Sequence, residues 1–227
     1  MRKPTRPGKL SSWLLFTLTM CLSTLSLAKA EATQPLAPGN YCPGTNIMLI
    51  MAEDISTSLS FVMQSRAAQT KGDQAQMLSQ LSAAGVVLKQ ATSRGAGART
   101  ALLIDSTILS RVNENNDQLL TWFPLLKSAL LTLPPDDQAA NAAAEAVGEA
   151  EDILQDDARG NALDKLKKAS HLLVCDDLNI PLAAAIKEQT QLWSRIQQQK
   201  PVVTKDYDKL VDSLRTALSY LLNHSQM

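Results

Sequence analysis

Apolar side chains recur along this chain at intervals of three and four, the spacing that lines one face of an α-helix, and no segment alternates convincingly in the manner of a half-buried strand. Ile47, Met48, Met51, Ile55, Leu59 and Val62 predict a helix over 46–69, with Thr45 or Asn46 as its cap and Lys71-Gly72 as its end. Asp73 followed by Gln76 resembles a capping box and opens a second helix, to about Ala91, on Met77, Leu78, Leu81, Val87 and Leu88. The short break between the two predicts an antiparallel hairpin.

Beyond the loop 92–99 (TSRGAGAR), Leu102 to Leu109 predict a helix from about Ala98 to Val112. Asn113–Asn116 interrupt it, and Asp117 caps a helix over 117–132 that Pro124 must kink or restart. Pro134 and Pro135 stop that helix. Asp136 and Asp137 open an Ala-rich one, to about Leu154, whose thin side chains suit close packing. A sixth helix starts at Asn161 and ends at Cys175, a seventh opens at Pro181, and a last one is capped by Thr204 and carries an apolar stripe from Tyr207 to Leu221.

These eight segments predict an all-α protein: an up-and-down helical bundle of about seven to eight helices, arranged as two stacked four-helix units dividing near Pro134. An α-solenoid is the alternative, although the signature residues of tetratricopeptide and ankyrin repeats are absent. The domain organisation expected is a signal over 1–30, an extended lead-in over 31–45 (three Pro and two Gly within 31–44), and one all-α domain over 46–227.

Composition changes this picture chiefly at the N-terminus. Arg2, Lys3, Arg6 and Lys9 precede an uncharged apolar run from Trp13 to Leu27, and Ala28-Lys29-Ala30 offers small residues at the two positions a signal peptidase reads. Cleavage is expected before Glu31. The run is short for a membrane span, Met20 disfavours a lipoprotein site at Cys21, and Arg2-Lys3 is not a twin arginine. Removing residues 1–30 takes away five of the 22 basic side chains and none of the 22 acidic ones, leaving a net charge of −5. That balance disfavours nucleic acid and anionic lipid. With no later stretch read as apolar and long enough to span a bilayer, the mature protein is expected to be soluble, without stable membrane insertion, and periplasmic, or extracellular as the alternative.

Two cysteines remain after cleavage, Cys42 and Cys175, and in an oxidising compartment an isolated pair predicts a disulfide. A metal site built on His171, Cys175 and Cys42 lacks a fourth ligand. No nucleophile elbow, zinc-protease pair or di-iron motif is present, and the acidic pairs at 53–54, 136–137, 156–157 and 176–177 read as caps and solvated turns. The placement of Met48, Met51 and Met63 on the first helix and His224 near the end resembles the layout of four-helix b-type cytochromes, in layout alone; packing in the core is the preferred reading, and no cofactor is assigned.

Two surface features stand out. Arg94, Gly95, Gly97 and Arg99 surround a helix start, where backbone donors and two cations suit an anion, against the plainer reading of an interhelical turn. Trp122 and Phe123 diverge by about 100° on a helix, so one ring is expected to be exposed as an anchor for a partner, against the plainer reading of both as core. The function expected is that of an exported, non-enzymatic helical interaction protein, a chaperone, adaptor or accessory subunit whose partner is another cell-envelope protein. The alternative is a periplasmic sensor bundle that binds a small molecule or an anion.

Overall fold

A computed structural model describes residues 39–110, 116–155 and 159–225. The signal segment, most of the lead-in, most of the interruption at 113–116 and the middle of the polar turn at 155–160 therefore lie outside the described residues. Among the described residues nine α-helical segments run in order: α1 Thr45–Lys71, α2 Gln74–Thr92, α3 Ala96–Ser110, α4 Asn116–Leu120, α5 Phe123–Leu130, α6 Gln138–Gln155, α7 Ala162–Leu172, α8 Asp176–Gln197 and α9 Asp208–His224, the last preceded by a 3-10 turn over Thr204–Tyr207. The fold is all-α, a helical bundle as the periodicity predicts. One predicted helix becomes two because Pro124 falls at the second position of α5, where its missing N–H costs nothing.

The helices sort into two cores. Met51, Ile55, Leu81, Leu88, Leu182, Leu214 and Leu221 belong to one, made by α1, α2, α8 and α9. Ile104, Phe123, Leu126, Val147, Leu166 and Leu173 belong to the other, made by α3 to α7. The division does not fall near Pro134. It falls at 93–95 and again at 173–175, so the second core is an insertion between the two halves of a four-helix bundle. That bundle is closed, with α1 against both α2 and α9, and α8 against both α2 and α9. Contact between the first and last helices is what a solenoid lacks.

Local chemistry explains most of the boundaries. Gly72 takes a left-handed conformation (φ 71°), its N–H bonds to the carbonyls of Ala68 and Gln69, and Asp73 accepts the N–H of Gln76 at 3.0 Å. The α1–α2 hairpin turns there in two residues. Asn161 caps α7 by accepting from Leu163 at 3.0 Å. In α6, Ala140, Ala143, Ala146 and Ala150 are buried at helical spacing, which brings α6 close to α7. Buried hydroxyls and one amide tie the closed bundle together. Ser58 donates to the Ala84 carbonyl (3.1 Å), Ser65 bonds to both the Met77 carbonyl and the Tyr207 hydroxyl, and Gln189 donates to the Leu81 carbonyl at 2.7 Å.

Two expectations need correction. α8 begins at Asp176, with Cys175 as its cap, and Pro181 lies inside the helix. The start is fixed earlier by Asp176 and Asp177 in the first turn, where carboxylates suit the helix dipole, and by the tie at Cys175. Further, α1 is long and apolar enough to cross a membrane by length and composition, with a mean hydropathy of 1.2 over eighteen residues. Its stripe Met48, Met51, Ile55 and Val62 is buried in the bundle, and Glu53 and Asp54 interrupt the apolar window, as suits a core helix.

Candidate functional site

The described end of the lead-in, from Gly39 on, is held across the seam between the two cores. Asn40 forms a single antiparallel bridge with Cys175. Gly39 donates its N–H to Asp176 Oδ2 at 2.8 Å, and its carbonyl accepts from the Asp176 N–H at 3.1 Å. A Cβ at position 39 would stand 2.6 Å from the carbonyl oxygens of His171 and Val174, so this crossing admits glycine alone. Tyr41 then packs on the start of α3, where Gly97 leaves room for its ring. Cys42 closes the strap through a disulfide to Cys175, with Cα atoms 4.5 Å apart across 133 residues of sequence. The predicted bridge is present.

Beside this strap lies a hollow of about 200 Å³. Ile47 and Met51 of α1 and Leu178 and Leu182 of α8 line it from the closed bundle. Gly95, Ala96, Gly97 and Ala98 line it from the start of α3, Leu173 and Val174 from the chain between α7 and α8, and the disulfide completes the wall. The polar side chains at its margin are Tyr41, Thr92, Arg94 and Asn179; among the described residues that line it none is a carboxylate, histidine or serine.

The predicted anion cradle is only partly assembled. Arg94, Gly95 and Gly97 line the hollow, and Gly95 has a φ of 88°. Arg94, however, forks onto Asp54, with Nε donating to Oδ2 at 2.8 Å and a terminal nitrogen donating to Oδ1 at 3.2 Å. This hydrogen bond holds the guanidinium pKa above its ordinary value. The charge an anion would need is thus met internally. Arg99 is exposed and is not among the residues lining the hollow.

The aromatic pair divides as well. Phe123 is fully buried in the inserted core and offers no surface. Trp122, in the turn that joins α4 to α5, is partly buried. The cytochrome-like layout dissolves into other contacts: Met48 and Met51 are buried, Met63 is exposed, and His224 stacks on Tyr220 with ring centroids 4.1 Å apart. Both sulfurs of the considered metal site are consumed by the disulfide. Among the described residues no group of three His, Cys, Asp or Glu side chains is gathered to hold a metal.

Sequence reasoning missed Gly39, Tyr41 and Tyr220. The hydroxyl of Tyr220 lies 3.3 Å from Cys175 Sγ and 3.6 Å from Cys42 Sγ. The run Gly39-Asn40-Tyr41-Cys42 was legible only as an extended segment, because its meaning depends on what it crosses. Comparison with known proteins returned nothing: no family model, curated protein or solved structure matches the chain.

Proposed function

We propose that this is an exported binding protein, without catalytic chemistry of its own, that seats a compact neutral apolar molecule in the hollow at the seam. The volume of that hollow carries the reading. A dry cavity of about 150 Å³ holds a benzene ring, so about 200 Å³ suits a single- or fused-ring aromatic or a branched alkyl group. Aliphatic walls and an internally neutralised Arg94 favour an uncharged occupant. A site between two separately cored units is also the usual place for a ligand. Indole is a suitable probe. Titrated into ¹⁵N-labelled oxidised protein, it should shift the amide resonances of Gly95, Gly97 and Cys175 saturably. Ala98→Phe, which fills the hollow from its margin, should abolish those shifts and leave the melting temperature within a few degrees. Shifts that never saturate, or that survive Ala98→Phe, would refute the reading.

A second reading, an adaptor for another envelope protein, draws support from the apolar side chains left exposed on the inserted unit: Leu109 is 72% and Leu131 86% exposed. Leu131→Lys should then weaken capture of the partner without altering indole binding.

A further inference from the structure

The two sulfurs in the wall of the hollow are unequal. Cys42 is exposed on the strap, whereas Cys175 is 5% exposed at the cap of α8. A bridged sulfur carries no hydrogen, so Tyr220 is the donor in both of its sulfur contacts. A disulfide sulfur is a weak acceptor, and that hydroxyl gains little from it. A thiolate in the same place is a strong acceptor. Burial, and then the charge of Asp177, raise the Tyr220 pKa, so the phenol keeps its proton. The start of α8 adds partial positive charge beside Cys175, although Asp176 and Asp177 act against it.

From this arrangement we infer that Cys42–Cys175 is an exchangeable disulfide that regulates the hollow, opened by thiolate attack on Cys42 Sγ while the Tyr220 hydroxyl stabilises the departing Cys175 thiolate. The occupant of the hollow rests on the reading above; the exchange itself does not. The reductant is a dithiol. Its first thiolate forms a mixed disulfide with Cys42 as the Cys42–Cys175 bond breaks and the electron pair passes to Cys175 Sγ. Its second thiolate then attacks its own sulfur in the mixed disulfide and releases Cys42 as a thiolate. The two protons given up by the dithiol balance those taken by Cys42 and Cys175. The chain gains two thiols, and the dithiol becomes a cyclic or protein disulfide. The strap is then held at this point by the Gly39–Asp176 hydrogen bonds and the Asn40–Cys175 bridge, and the hollow loses a covalent wall.

The test uses the intact oxidised protein. Reduced glutathione is added under native conditions, free thiols are trapped with N-ethylmaleimide, and peptides are mapped by mass. Glutathione should appear on Cys42 and the maleimide on Cys175. Tyr220→Phe should slow reduction by dithiothreitol roughly tenfold, the effect of losing about 1.4 kcal/mol of hydrogen bonding to developing charge, and should leave the melting temperature of the oxidised protein nearly unchanged. Indole shifts should weaken on reduction. Glutathione found on Cys175, an equal rate in Tyr220→Phe, or reduction no faster than global unfolding would overturn the inference. Failure of indole to bind the oxidised protein would instead overturn the ligand reading and leave the exchange result standing.

Discussion

Gly97→Ala is a substitution whose sign depends on a single neighbour. The added Cβ would lie 2.3 Å from Cδ1 and Cε1 of Tyr41 and 3.1 Å from the carbonyl oxygen of Leu173. The first distance is impossible, so the ring must leave the start of α3 and pull on the strap. Overpacking of this kind costs about 1–3 kcal/mol. Alanine regains about 1 kcal/mol over glycine within a helix, which leaves a net loss of up to about 2 kcal/mol. At about 2–4 °C per kcal/mol for a chain of this size, the melting temperature should fall by up to about 8 °C. In a Tyr41→Ala background the ring is absent, and the same change should become neutral or stabilising, trimmed only by the tight approach to Leu173. A double-mutant cycle under non-reducing conditions, followed by circular dichroism at 222 nm, should therefore give a coupling of about 1–3 kcal/mol. If Gly97→Ala stabilises the protein equally in both backgrounds, Tyr41 does not pack on α3 and the account of the strap is wrong.

The same reasoning reaches other sites. Phe123→Ala should cost about 3–5 kcal/mol in urea denaturation, because the ring is fully buried, whereas Trp122→Ala should cost under about 1.5. Replacing both Cys42 and Cys175 by Ser releases a loop of 133 residues and should lower stability by up to about 5 kcal/mol. The Val203 N–H, and then Arg195, hold the Asp206 pKa below its ordinary value. A lowered folded pKa gives stability that is complete above the unfolded value of about 3.9 and is lost as pH falls through the folded one; Asp206→Asn should flatten that acid limb of the urea-midpoint profile. Intact mass of the exported protein should begin at Glu31, and retention of residues 1–30 would contradict the signal reading.

What was legible in the sequence was local. Asp73 and Gln76 announce the start of α2 because a cap is settled within four residues, and the alanines of α6 announce close packing because their spacing is the helix's own. The disulfide was legible because two cysteines have one pairing. The start of α8 was misplaced because Pro181 outweighs Asp176 in a local reading, whereas the tie of Cys175 to the strap is made to residues far away in sequence. The insertion of one core into another, the crossing at Gly39 and the place of Tyr220 beside the sulfurs are all long-range relations. Nothing in the pattern of α1, α2, α8 and α9 says that they close on each other around the helices between them. Arg94 is legible as part of an unusual loop, but its partner Asp54 lies forty residues earlier on another helix.

The interrupted bundle also sets a timetable. As the chain is synthesised, the α1–α2 hairpin is complete long before α8 and α9 exist, so α1 must wait with its second helical neighbour, α9, missing. The intervening helices can meanwhile condense on their own core, since α6 with α7 and α3 with α5 need only partners already made. Their condensation brings the end of α2 and the start of α8 closer together than a loose chain would, which lowers the entropy lost when the last pair docks. Closure by α8 and α9 is the step of greatest sequence separation and should be the slow one. The strap is reached early in synthesis and secured late, when Cys175 arrives. Because Cys175 precedes α8, the bridge can close before α8 and α9 dock, and it then fixes the start of α8 at the strap.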